Sequence, residues 1–348
     1  MENATDYSDF DIDQIPEPEN INEVIYSLMV NPNITPLNYF NDFTDIKTDP
    51  QKMGSDSDEL GIFKLEDGTK LMAMTTHAMH HHLESDPQKA AEILVSRATR
   101  KMVCYGAKPV AISAMLYHIN YSDPGEQFIA AGAKIGLENA AKAFDLQISD
   151  RKIRFDFFGE IGFQSPTLIV SLIGSLPVNN EGNFKLLSQS FKKKGNTLFL
   201  IGNTTDDIMT SDYLEFYHGV SESPLPEFDL DFETKVVDVV NSLITKKLID
   251  NASPVAKGGI FFTLLRACWK NGFGFDITTA AEVRTDAFLF GEAMGRIIVS
   301  VSSEKEDEFV DFMFDSKIPF FTLGHVTKGE IRIDDQSFGF TDKMSETR

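Results

Sequence analysis

Residues 86–113 have the sequence DPQKAAEILVSRATRKMVCYGAKPVAIS, and this stretch is the clearest pointer to the fold class. It begins with Pro87, a residue suited to a helix start, and reaches Gly106, a residue type that often ends helices. The run VAISAML (110–116) that follows indicates a buried strand. Between the two ends, apolar side chains recur at helical spacing: Ala91, Leu94, Val95, Ala98 and Met102.

The same alternation continues along the chain. Short apolar runs predict strands, and longer amphipathic stretches predict helices. Strands that alternate with helices indicate an α/β or α+β protein. Further strands are predicted at 60–65, 69–76, 168–176, 197–202, 297–302 and 320–326, and further helices at 20–30, 124–144, 229–249, 259–271 and 304–316.

The composition excludes several classes of protein. The chain has 348 residues and a net charge of −21, which argues against nucleic-acid binding because that function needs a basic surface. It has no apolar run long enough for a transmembrane helix and no secretory signal at its N-terminus. Cys104 and Cys268 are too few for a disulfide framework. We therefore expect a cytoplasmic protein with no membrane or nucleic-acid partner.

The acidic residues are concentrated near the N-terminus. Residues 1–60 hold fourteen of them against Lys47 and Lys52, and residues 1–20 hold seven without any basic residue. Such a composition predicts a solvated, disordered tail over residues 1–20. An acidic arm for a basic partner is the alternative.

Three segments could carry chemistry. Residues 75–82 hold four of the seven histidines, which suit a metal site, a pH-sensitive or substrate-contacting cluster, or an exposed loop. Residues 54–58 are small and acidic. This composition is typical of loops that bind Mg²⁺-nucleotide, and it is also found in ordinary turns. Lys257, Gly258 and Gly259 precede a predicted helix, whose free N–H groups suit an anion.

Three other patches have ordinary structural interpretations. Arg97, Arg100 and Lys101 on the predicted helix are typical of a solvated cationic face. Glu292 and Arg296, four residues apart, suggest a structural ion pair. Residues 106–109 suggest a helix stop and a turn.

The order of these pieces resembles a known family. GSDS (54–57), LMAMTTHAM (71–79) and residues 86–113 follow one another as in the ATP-binding superfamily of aminoimidazole ribonucleotide synthetase. Within it, the chain is most similar to formylglycinamidine ribonucleotide synthetase, and residues 18–40 resemble the lead-in to the second synthetase-like half of that enzyme. Four later segments agree in order and spacing: 191–214, 243–268, 286–301 and 318–326.

The resemblance implies a two-domain fold. An N-terminal α/β domain (21–178) would pair its sheet with a second copy to form a barrel, and a C-terminal α+β domain (190–335) would cover the nucleotide. Residues 1–20 and 336–348 would be tails. The family enzyme carries two such halves in one chain and this chain carries one, so a homodimer, or a second synthetase or glutaminase chain, is implied.

The resemblance also implies a reaction. ATP and Mg²⁺ activate the formyl amide oxygen of a small-molecule substrate by phosphorylation, and ammonia from a glutaminase displaces phosphate to give an amidine. By this correspondence His77, Glu292 and Arg296 would be catalytic. Asp56, Glu160 and Glu292 would bind the metal. The nucleotide would contact Asp56, Lys101, Lys108, Lys257, Gly258 and Gly259.

Several positions depart from the family pattern. His77 stands where the family has an aspartate ligand, Lys101 where it has asparagine, and Lys257 where it has glutamate. Because Mg²⁺ needs hard oxygen ligands, these changes weaken the expected metal site. Two interpretations follow: a working ATP-dependent ligase, or a non-catalytic regulatory, structural or ligand-binding paralogue that homodimerises or has a partner chain. A transition-metal site at the histidines is a third hypothesis.

Overall fold

The structure, a computed structural model, describes residues 7, 10–31, 34, 60–64, 71–79, 82–118, 124–155, 166–176 and 186–346. The chain divides into two compact units. Of the residues that the structure describes, those within 1–10, 51–186 and 228–237 form the first unit, and those within 11–50, 187–227 and 238–348 form the second. Helix α1 (Ile21–Met29) therefore belongs to the second unit, although it precedes the first in sequence.

The first unit is built on a five-stranded mixed sheet with the strand order β1-β2-β5-β3-β4. Strand β3 pairs with β4 in parallel and with β5 in antiparallel orientation. Helices α2 (Pro87–Cys104) and α3 (Pro124–Ala143) pack on each other and on one face of this sheet. Strands β1 to β5 span Gly61–Lys64, Leu71–Met79, Lys108–His118, Gln147–Phe155 and Thr167–Leu176.

Helix α2 has the ends that its sequence predicts. The Asp86 carboxylate accepts the Lys89 N–H at 2.9 Å and so caps the first turn. Pro87 lies in that turn, where its missing N–H costs no hydrogen bond. At the other end, Gly106 adopts a φ of 80° and donates its N–H to the Val103 carbonyl. The predicted helix at 87–104 is confirmed.

The second unit is built on a seven-stranded sheet with the strand order β12-β11-β8-β10-β6-β9-β7. Strands β6 to β12 span Thr197–Ile201, Asn251–Pro254, Gly274–Ile277, Ile297–Val301, Phe320–Thr327, Glu330–Ile333 and Gln336–Phe340. The remaining helices are α4 (Leu230–Thr245), α5 (Gly259–Trp269), α6 (Thr285–Phe290), α7 (Glu306–Ser316) and α8 (Thr341–Glu346), and Tyr213–Tyr217 form a π-helical turn. No helix in the described part of the chain has the length and apolar character needed to cross a membrane.

The structure differs from the sequence analysis at both ends of the chain. Residues 336–346, assigned to a tail, form β12 and α8. The cause is a two-residue turn in which Asp334 and Asp335 adopt φ values of 48° and 65° and bring Ile333 opposite Gln336. Near the N-terminus, Ile12–Gln14 form a short 3-10 turn within the other stretch assigned to a tail.

Candidate functional site

Glu292 lies at the centre of a polar cluster in the second unit. It follows helix α6 in a non-helical loop, and it is 5% exposed. One of its carboxylate oxygens, Oε1, accepts the backbone N–H groups of Asp212 and Gly258, both at 2.9 Å. Glu292 thereby joins three loops that are far apart in the sequence.

Lys257 adds a positive charge to this cluster. Its Nζ lies 3.1 Å from Oδ1 and 3.4 Å from Oδ2 of Asp212. The Asp212 side chain is buried, whereas the Lys257 side chain is half-exposed. We call Asp212, Lys257 and Glu292 the carboxylate–lysine cluster.

Burial and charge set the protonation of this cluster. Burial raises the pKa of Glu292, and the Asp212 carboxylate raises it further, while Lys257 and the two backbone N–H groups oppose the shift. Arg266 lies beside them and donates from Nη1 to the Lys257 carbonyl at 3.0 Å. Burial lowers the pKa of Arg266 to about 10, so its guanidinium stays charged at neutral pH. Two cations thus face the two carboxylates.

The turn before helix α5 depends on two glycines. Gly258 and Gly259 have φ values of 78° and 70°, which side-chain-bearing residues rarely adopt. A Cβ on Gly259 would lie 2.5 Å from the Leu289 carbonyl oxygen, so backbone fills the space that a side chain would need. Sequence reasoning assigned these glycines to an anion. In the structure, the anion that the Gly258 N–H contacts is the carboxylate of Glu292.

Arg296 shapes the loop that carries Glu292. It is 1% exposed and donates from Nε to the Ala293 carbonyl at 3.2 Å and from Nη2 to the Gly291 carbonyl at 2.7 Å. Because residues 291–296 are not helical, the four-residue spacing does not place Glu292 and Arg296 on one helix face. Each of them binds backbone groups. Arg296 therefore has a structural role in this loop.

A second polar chain begins at Tyr213, next to Asp212 in sequence. The Tyr213 hydroxyl donates to Asp286 Oδ2 at 2.7 Å, and Arg284 donates to both oxygens of Asp286, at 3.1 and 2.7 Å. Burial alone would raise the pKa of Asp286, but the hydrogen bonds from Arg284 and Tyr213 bring it below its usual value. These contacts fix the π-helical turn that follows Asp212.

In the first unit, His77 lies on strand β2. Its Nε2 is 3.2 Å from the Thr75 hydroxyl oxygen. Burial lowers the pKa of His77 to about 4, and the positive charges of Arg97 and Arg100 on α2 add to the shift. The imidazole is therefore neutral at pH 7. Of the two lysines assigned to nucleotide binding here, Lys101 is half-buried and Lys108 is exposed.

The cationic face predicted on helix α2 is wrong for one member. Arg100 is 2% exposed, and its Nη1 lies 3.3 Å from Oε1 of Glu233, which is 1% exposed. A charged side chain is buried at this depth only when it is paired. The pairing with Glu233 is the physical reason for its burial.

Replacing His77 with glutamine is expected to make the first unit less sensitive to acid. The folded-state pKa of about 4 lies below the ordinary value of 6.5, so the unfolded chain binds the proton more readily. The stability contributed by neutral His77 is present above pH 6.5 and is lost as the pH falls towards 4. Urea unfolding followed by circular dichroism should show that the free energy of unfolding of H77Q falls less steeply than that of wild type between pH 6.5 and about 4. Equal slopes for H77Q and wild type would contradict the prediction.

The metal assignments rest partly on residues outside the described part of the chain, namely Asp56, Glu160, His80 and His81. Among the residues that the structure describes, no group of three or more His, Cys, Asp or Glu side chains could hold a metal ion. Asp212 and Glu292 form only a pair, and Lys257 faces it. The described residues thus do not fit a Mg²⁺ site, and the roles of Asp56, Glu160 and Glu292 as ligands stay predictions.

The structure brings together Lys257, Gly258 and Glu292, which sequence reasoning selected separately. Sequence reasoning missed Asp212 and Arg266, which complete the cluster. Arg266 is a charged residue in the otherwise apolar stretch 261–269, and a charge in such a place is commonly paired once it is buried. That local signal could have identified Arg266, but not its partners. Asp212 lies among other polar and acidic residues and carries no such signal.

Two family models match the chain. The model for the N-terminal domain of AIR synthase related proteins matches residues 57–174, and the model for their C-terminal domain matches residues 193–335. The phosphoribosylformylglycinamidine synthase subunit PurL of Alkaliphilus metalliredigens is 27% identical over 326 residues, which are 93% of this chain and 43% of that protein. The PurL subunit of Moorella thermoacetica is 26% identical over 90% of this chain and 42% of that protein. The chain thus spans less than half the length of these relatives.

Solved structures show the same fold. Thermotoga maritima PurL complexed with FGAR superposes with a TM-score of 0.74 at 15% identity, over 94% of this chain and 54% of that one. Its complex with ATP gives a TM-score of 0.70 at 14% identity, over 94% of this chain and 52% of that one. The PurLQS structure from the same organism gives a TM-score of 0.68 at 14% identity, over 92% of this chain and 50% of that one. The predicted two-domain α/β fold of the PurL type is confirmed.

Proposed function

The chain belongs to the AIR synthase related family as a PurL-like member, and from this we propose that it is a non-catalytic component of a purine-biosynthetic assembly. It has the fold of a phosphoribosylformylglycinamidine synthase-type ligase, but its carboxylate–lysine cluster does not support magnesium-dependent chemistry. The observation that carries this proposal is the Lys257–Asp212 ion pair at 3.1 Å.

Lys257 occupies a position where the family resemblance places a glutamate. Its ammonium group neutralises Asp212, and the Gly258 N–H beside it is already bound by Glu292. A nucleotide phosphate would have to displace the chain's own carboxylate from that N–H group. A cation would have to approach a pair of carboxylates that already faces Lys257 and Arg266. Both steps oppose a magnesium nucleotide at this place.

The first unit supports the same proposal. His77 stands where the resemblance places an aspartate, and its pKa of about 4 keeps it neutral at pH 7. Arg97 and Arg100 on helix α2 make its surroundings positive. A neutral imidazole beside two arginines offers a magnesium ion neither negative charge nor hard oxygen.

A working ligase is the second candidate. It is favoured by Glu292, whose pKa is raised by burial and by the nearby Asp212 carboxylate, as is common for a general acid. T. maritima PurL, which has the same fold, has been solved with ATP bound. In this alternative, Asp56 and Glu160 supply the missing metal ligands, and ATP with Mg²⁺ remains the cofactor pair.

Calorimetric titration of the full chain with ATP, with and without Mg²⁺, separates the two candidates. We expect Mg²⁺ to leave ATP binding unchanged and no phosphate to be released. Lys257→Glu restores the acidic residue and is expected to make ATP binding depend on Mg²⁺. Lys328→Glu, in the exposed β10–β11 turn, is the charge-matched control. Tight Mg²⁺-dependent binding with ATP turnover by the unmodified chain would favour the ligase and overturn the proposal.

We further propose a homodimer formed through the open face of the five-stranded sheet. On β2 the side chains of Leu71, Ala73 and Met79 are buried on the helix-covered side, and those of Met74 and Thr76 are exposed on the other. Strand β5 continues that second side with Ile169 and Ile173, both partly exposed. An apolar sheet face of this kind matches a second copy of itself across a twofold axis.

Replacing Met74 with lysine is expected to convert such a dimer to monomer, because two copies of the new charge would meet in an apolar interface. Ile135→Lys is the control, since Ile135 is an exposed apolar residue on helix α3, away from the open sheet face. Size-exclusion chromatography with light scattering measures the mass. A monomeric unmodified chain, or a dimer that M74K leaves intact, would contradict this interface.

A second synthetase or glutaminase chain is the alternative partner. The PurLQS structure from T. maritima is the solved assembly that supports it. If the chain works in such an assembly, co-purification with a glutaminase should accompany a monomeric mass in isolation.

A further inference from the structure

The N-terminal segment of residues 11–31 is docked on the second unit. Helix α1 buries Val24, Ile25 and Leu28 completely and contacts the π-helical turn Tyr213–Tyr217. Its first turn is capped by Asn20, whose side-chain oxygen accepts the Asn22 N–H at 3.0 Å. Val30, at the end of the helix, is 79% exposed. We call residues 11–31 the N-terminal strap.

Arg284 holds one end of the strap. Its Nη1 donates to the carbonyl oxygens of Ile12 at 3.2 Å and Ile15 at 3.0 Å. The same guanidinium binds Asp286, which accepts the hydroxyl of Tyr213. The side chains of Arg284 and Asp286 therefore link the start of the strap to Tyr213, the residue that follows Asp212.

Arg266 reaches the chain just beyond the other end. Its Nη1 donates to the Ile34 carbonyl at 3.1 Å and to the Lys257 carbonyl at 3.0 Å. A third bond runs from Nη2 to the Thr263 hydroxyl at 3.3 Å, which seats the guanidinium on helix α5. Arg266 thus connects Ile34, three residues beyond the strap, to the turn that carries Lys257.

We infer that the N-terminal strap is a positioning device for the carboxylate–lysine cluster, whose docking holds Asp212 and Lys257 in their paired arrangement. Arg284 and helix α1 support the Asp212 arm, and Arg266 supports the Lys257 arm. Loss of docking would remove the packing under the π-helical turn and one of the bonds that orient Arg266. The inference rests on the proposed function only in treating the cluster as the functional site.

Hydrogen exchange of the full chain, measured by mass spectrometry without nucleotide, tests this device. Val24→Asp places a charge in the buried face of α1 and should undock it. We expect exchange to become at least about tenfold faster in residues 211–217 and 257–262, a change equivalent to about 1.4 kcal/mol. Protection in β9 and β10 should stay as in the unmodified chain. Val30→Asp, on the exposed end of the same helix, is the matched control and should change none of these segments.

Faster exchange in α1 with unchanged protection of 211–217 and 257–262 would overturn the inference. If V24D fails to fold, Asn20→Ala gives a milder lesion, because loss of a helix cap costs about 1 kcal/mol. It should speed exchange about fivefold in the same two segments, and no change there despite fraying of α1 would also overturn the inference. The hydrogen-exchange experiment contains no nucleotide. Its outcome therefore does not depend on whether the chain binds ATP, and the two experiments can fail separately.

Discussion

Replacing Arg100 with alanine is expected to lower the free energy of unfolding of the first unit by about 3–5 kcal/mol. Arg100 and Glu233 are 2% and 1% exposed, and their charged groups lie 3.3 Å apart. Removal of the guanidinium would leave the Glu233 carboxylate in the interior without this partner. The burial of a carboxylate that has lost this ion pair, rather than the lost attraction alone, accounts for most of the cost. Urea unfolding followed by circular dichroism measures it.

Two further variants separate this effect from a general loss of side-chain volume. Arg97→Ala removes a partly exposed arginine from the same helix and should cost less than about 1 kcal/mol. The double variant Arg100→Met with Glu233→Leu replaces both charges by apolar groups of similar size, and it should recover most of the stability. Equal losses for R100A and R97A, or a double variant as unstable as R100A, would contradict the prediction.

The contrast between Arg97 and Arg100 shows how far a local pattern reaches. Helix α2 was predictable because its starting proline, its apolar face and its terminal glycine all lie within one stretch of sequence. The burial of Arg100 was not, because its partner Glu233 lies on helix α4, far along the chain. Local spacing assigns a residue to a face of a helix, and tertiary pairing decides whether a charge on that face is buried.

The candidate site divides in the same way. The glycine turn at 258–259 was predictable, since paired glycines before an apolar run commonly begin a helix. The role of Glu292 as acceptor for two distant backbone N–H groups was not, because both donors come from other loops. Strands β7 and β8, of four residues each, escaped prediction, and so did the longer β4, whose sequence QISDRKIRF is largely polar. Strand β1, also of four residues, was predicted because it lies in an apolar run.

Replacing Glu292 with alanine is expected to cost about 2–5 kcal/mol, because two buried N–H groups would lose their acceptor. Glutamine retains a side-chain oxygen that can accept from Asp212 and Gly258, so E292Q should cost much less. Glu304→Ala, at an exposed acidic residue, is the control and should be close to neutral. Fluorescence of Trp269, the only tryptophan, reports unfolding at the end of the helix that Gly258 precedes.

The pH dependence of E292Q tests the electrostatics of the same residue. Burial and Asp212 raise the folded-state pKa of Glu292 above its ordinary value, so the folded chain holds this proton more tightly than the unfolded chain. The stability that the proton contributes is fully present below about pH 4.3, the ordinary value, and is lost as the pH rises through the folded-state pKa. Glutamine does not titrate. The stability of the unmodified chain relative to E292Q should therefore fall as the pH rises from about 4 towards neutrality, by about 1.4 kcal/mol for each unit of difference in pKa between the two states. Parallel stability curves for the two proteins would show that Asp212 and the burial of Glu292 impose no such cost, and the carboxylate would then be fully stabilised by Lys257 and the two N–H groups.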